Sequence, residues 1–138
     1  MRGEKELEPA DFDKFDAFIF GGILGDHPPK DRTKELRDLN FEYRRLTEMQ
    51  MTTDTAILTS KIILFDKITL NNILFVEEPE IENKNKNGQC EESCQMEGFT
   101  YVSAMYDIEK GSFSNNADKI NIPIMPDKIK NELLFVDF

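Results

Sequence analysis

The stretch 16–37, DAFIFGGILGDHPPKDRTKELR, sets the architecture expected of the whole chain. It opens on Ala17, Phe18, Ile19 and Phe20, an apolar run long enough for a buried strand and too short for a stable helix. Gly21 and Gly22 follow at once, and Gly25 comes after Ile23 and Leu24. Asp26, His27, Pro28 and Pro29 then stiffen the backbone. Beyond them Arg32, Thr33, Glu35, Leu36 and Arg37 read as an incoming helix. A buried strand that ends in a glycine loop and feeds a helix is where open α/β sheets place small-molecule sites. Glycine lets a ligand approach the main chain closely, and the two prolines reduce the entropy that the loop loses on ordering.

Outward from this stretch the pattern is mixed. Residues 1–14 are charged, broken at Pro9, and read as a connecting segment. Asp31 is a competent N-cap for a short helix over 32–39, and Asn40 is its stop. Phe41, Tyr43 and Leu46 alternate with polar residues, the pattern of a half-exposed strand. A second loop covers 47–51. Thr52 then caps the clearest helix of the chain, with Asp54 at the positive end of its dipole and a predicted end near Lys67. Strands are predicted at 73–76 and 99–102. The interval 81–97, rich in Asn, Lys, Glu and Gln, reads as an exposed loop. Residues 111–119 are polar and turn-rich, 122–126 are extended, and a last helix is predicted over 127–135 after Pro126.

The 138 residues suit one small α/β domain. The formal net charge is -10, with 27 acidic against 17 basic residues. No basic stripe is present, which disfavours tight binding to a nucleic-acid backbone. An acidic surface instead steers a basic protein partner toward it. No apolar run approaches a membrane span, and the amino terminus has no signal-peptide core. The two cysteines, Cys90 and Cys94, are expected to be reduced thiols in the cytoplasm. Their CxxxC spacing has no companion His or Cys, so no metal site is expected.

Two motifs carry a resemblance. GGILGDHPPKDRTKELR, over 21–37, and QMTTDTA, over 50–56, resemble a family of SPOUT-class methyltransferases that use S-adenosylmethionine. The match is dense from 4 to 64 and patchy afterwards. Both motifs are long and unusual in composition. The resemblance implies an α/β SPOUT-like fold, the C-terminal trefoil-knot half of an α/β-knot methyltransferase, with the family's N-terminal strands missing. It implies methyl transfer to an arginine of a small-subunit ribosomal protein. The alternatives are an RNA methyltransferase, which the acidic balance disfavours, and a cofactor-binding or ribosome-associated module without turnover.

The resemblance also implies a site. Gly21, Gly22, Ile23, Leu24, Gly25 and Asp26 would cradle the cofactor in the first loop. Leu46, Met49, Gln50, Met51 and Thr52 would close over it from the second. The family carries a glycine and a proline where this chain has Thr47 and Glu48. A bland alternative makes Met51 core and Thr52 only a helix cap. Methyl transfer to arginine is an in-line displacement, so the protein must align the groups, exclude water and hold the guanidinium. Asp26, Asp31 and Glu35 are the candidate catalytic carboxylates; His27 is read as structural or substrate-side in preference to a catalytic base, and the resemblance implies that Arg32 lines the site on the substrate side. Helix capping is the competing role for Asp31, and a solvated face for Glu35. The family stretch matching 97–101 places an arginine before its tyrosine; Thr100 stands there in this chain.

Overall fold

The structure is a computed structural model and describes residues 5–20, 38–84 and 87–126. The chain divides into two compact units, 1–73 and 74–138.

In the first unit the segment expected only to connect is folded. Pro9–Asp13 forms a short 3-10 helix, with Pro9 in the first turn, where its missing N–H would be unpaired in any case. The Asp11 carboxylate turns back to accept from the Glu8 amide at 3.0 Å, which closes the start of this helix. Glu6 and Arg45 form a single parallel bridge: the Arg45 N–H donates to Lys5 O at 3.0 Å, and the Leu7 N–H to Arg45 O at 3.1 Å. The half-exposed strand expected over 41–46 is reduced to that bridge.

The apolar run Ala17–Phe18–Ile19–Phe20 is not a strand. Ile19 is 65% exposed, and no ladder partner runs beside it among the described residues. A parallel strand is stable only between neighbours that cover both its faces, so apolar composition alone does not form one here. Of the helix expected over 32–39, Asp38 and Leu39 are described; Asp38 is helical and Leu39 lies in a turn. Asn40 follows with φ 63°, the left-handed residue that commonly ends a helix.

The main helix, α1, spans Thr53–Leu64 with Thr52 as its N-cap in extended backbone. It buries Thr55, Thr59, Ser60, Ile62, Ile63 and Leu64, while Ile57 stays 49% exposed. It packs on the Pro9–Asp13 turn, where the Phe12 and Phe65 rings meet edge to face at 5.1 Å. The helix stops three residues earlier than predicted. Lys67 takes φ 59°, and the Ile68 amide returns to Ile62 O at 3.3 Å. Lysine is not a residue that announces a left-handed stop.

The second unit is built from antiparallel pairs. Strand β1 (Phe75–Glu77) pairs with β4 (Thr100–Val102), and β2 (Glu80–Lys84) with β3 (Cys90–Gln95). The two pairs form one bent ribbon. The Glu78 amide donates to Phe99 O at 2.8 Å, and the Met96 amide to Pro79 O at 3.0 Å. Between the two ladders the outgoing leg has residues 78–79 and the returning leg has 96–99. The extra residues are absorbed at Glu78 (φ 48°) and Gly98 (φ 77°), both in the left-handed region. The interval expected to be an exposed loop is therefore mostly hairpin. Its residues are polar because both faces of a two-stranded ribbon are largely solvated, which hides the alternation used to recognise strands. Ile81 is the buried exception.

All three residues of β4 are buried because the chain flanks it on both sides. β1 lies on one side. On the other, the Ile124 amide donates to Val102 O at 2.8 Å, and Ser103 bridges Pro123. The Ser103 hydroxyl donates to Ile120 O at 2.8 Å. A last small hairpin pairs β5 (Tyr106–Asp107) with β6 (Ser112–Phe113), with the Tyr106 and Phe113 rings 5.3 Å apart. The predicted helix over 127–135 lies outside the described residues. The architecture is mixed α/β.

Candidate functional site

The second loop of the sequence reading leads directly into α1. Leu46, Met49, Gln50 and Met51 are half-buried, and Thr52 is buried. The chain bends at Glu48 and Met49. The Thr47 hydroxyl closes this bend by donating to the Met49 carbonyl at 2.7 Å. A threonine can do this where a glycine cannot, because its side chain supplies the donor.

At the helix start, Thr52 does not use its side chain as a conventional cap. Its hydroxyl pairs with the Thr55 hydroxyl at 2.7 Å and makes no bond to an amide of the first turn. One turn on, the Thr59 hydroxyl donates to Thr55 O at 2.8 Å, and the Ser60 hydroxyl to Ala56 O at 2.9 Å. The Met51 sulfur lies 3.8 Å from the Thr59 hydroxyl. Threonine is thus used twice, to anchor the loop and to satisfy buried hydroxyls within the helix. The Met51 sulfur faces the helix, while the residue as a whole is half-buried. Leu46 and Met49 are also half-buried, so part of their apolar surface stays open to solvent.

Gly21, Gly22, Ile23, Leu24, Gly25, Asp26, His27, Asp31, Arg32 and Glu35 lie outside the described residues. The described part of the site is therefore the run 46–52.

Sequence reasoning missed two features of this unit. One is Thr47. The other is Asp11 with Arg44: Arg44 Nε donates to Asp11 Oδ2 at 3.1 Å and Nη2 to Oδ1 at 3.3 Å, while the guanidinium sits 4.8 Å over the Phe15 ring. Burial alone would raise the Asp11 carboxyl. The Glu8 amide and the Arg44 guanidinium outweigh it and hold the group below its usual range. The available signal was Glu8-Pro9-x-Asp11, a capping box with proline at the first helical position.

In the second unit, an open depression of about 430 Å³ is lined by Met105, Tyr106, Ile108, Ile124 and the polar Asp107 and Lys119, among others. Among the described residues no group of three or more His, Cys, Asp or Glu is placed to hold a metal ion. No described helix is long and apolar enough to cross a membrane.

A loop held at the start of a helix in a mixed α/β chain occurs in many classes of protein and does not by itself fix a function. The family assigns the class: residues 1–134 match the family described as "Protein arginine N-methyltransferase SFM1-like", and the chain belongs to it. A curated relative, Protein arginine N-methyltransferase SFM1 of Saccharomyces cerevisiae (strain ATCC 204508 / S288c), is 52% identical over 89 residues. That match covers 62% of this chain and 42% of the yeast protein. The crystal structure of the yeast arginine methyltransferase SFM1 complexed with SAM overlays with a TM-score of 0.66 at 43% identity. The overlay covers 94% of this chain and 50% of that one. The SAH complex of the same yeast enzyme overlays with a TM-score of 0.66, over 94% of this chain and 53% of that one. The chain thus spans about half the length of the relatives it matches.

Proposed function

We propose that this chain carries out S-adenosylmethionine-dependent N-methylation of a protein arginine. The observation that supports this most directly is the overlay of 94% of the chain, at 43% identity, on half of an arginine methyltransferase crystallised with SAM. In this reading residues 1–138 act as one SPOUT-like domain, the trefoil-knot half of an α/β-knot fold, in the cytoplasm. The acceptor is a basic protein, in particular a small-subunit ribosomal protein, and the net charge of -10 draws it in.

When bound, S-adenosylmethionine supplies a methyl group on a positively charged sulfur. Leu46, Met49 and Met51 would supply apolar surface for its adenine, and the backbone of Gln50 and Thr52 would read the base edge. As the sequence motif implies, Gly21, Gly22, Ile23, Leu24, Gly25 and Asp26 would also hold the cofactor. Asp26, Asp31 and Glu35 hold the acceptor guanidinium and receive the proton that its nitrogen loses. His27 and Arg32 orient the substrate chain. Little covalent chemistry falls to the protein; alignment and exclusion of water do most of the work.

Transfer of tritium from labelled S-adenosylmethionine, run side by side on ribosomal protein and on ribosomal RNA, tests the acceptor. Label is expected in protein arginine. Label in RNA alone overturns that choice, and absence of heat on titration with S-adenosylmethionine overturns the donor.

A further inference from the structure

We propose that Thr47 is a positioning residue for the donor loop, aiming the Met49–Gln50 peptide at the bound nucleoside. This rests on the donor-site reading above. The Thr47 hydroxyl donates to the Met49 carbonyl at 2.7 Å, across the bend at Glu48 and Met49. A trans peptide is planar, and its carbonyl and following N–H point in opposite directions. Holding the Met49 carbonyl therefore also sets the direction of the Gln50 amide. The same loop is tied to α1 at its other end. Met51 Sδ lies 3.8 Å from the Thr59 hydroxyl, and the Thr52 and Thr55 hydroxyls are 2.7 Å apart. In the donor-site reading, the base would meet the backbone between these two ties. Thr47 lies six residues before α1 begins, so its bond belongs to the bend and not to the helix ladder. Without that bond the peptide plane regains rotational freedom, which binding must then remove.

The test uses the full chain and S-adenosylmethionine itself. Thr47→Val keeps the branched shape and removes the donor; Thr47→Ser keeps the donor and removes a methyl group. Calorimetry is expected to show Thr47→Val binding about three- to tenfold more weakly, the range of one net hydrogen bond. Thr47→Ser is expected to bind like the parent chain, and Thr47→Val to lower the ligand-free melting temperature by no more than the loss of one hydrogen bond, with the chain still fully folded at the temperature of the titration. Unchanged affinity in Thr47→Val overturns the proposal. So does an equal loss in Thr47→Ser, or partial unfolding of Thr47→Val at the titration temperature that accounts for the loss. A parent chain that does not bind S-adenosylmethionine overturns the donor-site reading beneath it, an outcome distinct from the other three.

Discussion

The Arg44 guanidinium and the Asp11 carboxylate, 33 residues apart in sequence, meet in a two-point contact with 10% and 2% of their side chains exposed. This pair joins the N-terminal turn to the segment that leads into the candidate donor loop. Removing one partner strands the other in a buried site, a change that costs about 3–5 kcal/mol. Asp11→Asn and Arg44→Met are each expected to lower the urea midpoint strongly. The double variant is expected to be less destabilised than the sum of the two. Additive losses would show that the contact carries no coupling.

The same pair makes the fold acid-sensitive. Asp11 has a depressed carboxyl in the folded chain, so its contribution is fully present above the unfolded value of about 4. It is lost as pH falls through the lower folded value. Melting temperature is expected to drop more steeply with acidification below about pH 4 in the parent chain than in Asp11→Asn. Parallel slopes for the two proteins would remove Asp11 from the acid response.

The two faces of α1 separate cleanly. Ile62 is fully buried and Ile57 is half exposed. Ile62→Ala is expected to cost about 2–5 kcal/mol and Ile57→Ala less than about 0.5 kcal/mol. Equal costs in chemical denaturation would mean that the buried face has been assigned wrongly.

Gly98 sits at φ 77° where the ribbon bends, its amide donating to Glu78 Oε1 at 3.1 Å. A Cβ built there meets nothing within 4 Å, so the obstacle to substitution is backbone conformation and not a clash. Gly98→Ala is expected to destabilise the chain by about 1 kcal/mol. No change in the thermal midpoint would show that the bend tolerates an L-residue without strain.

Gly22 belongs to the first loop, read from the sequence motif. Gly22→Val is expected to weaken S-adenosylmethionine binding far more than it weakens folding. Binding loss that merely tracks a fall in ligand-free stability would make the glycine structural.

The sequence alone was enough for whatever depends on neighbours a few residues away. Thr52, a residue type that favours helix starts, followed by Asp54 at the positive end of the dipole, marks the start of α1 in the sequence, even though the Thr52 hydroxyl pairs with Thr55 and not with an amide. The apolar runs around Val76 and Tyr101 mark β1 and β4, and the glycine-rich and threonine-rich motifs carry the family resemblance. Tertiary structure decided the rest. Ala17–Phe20 has strand composition but no neighbouring strand among the described residues, and a ladder needs a second chain segment. Apart from the buried Ile81, the 80–95 hairpin is largely polar, so only its pairing reveals it. Asp11 finds Arg44 because folding brings two distant segments together; local propensity is blind to a contact made across 33 residues.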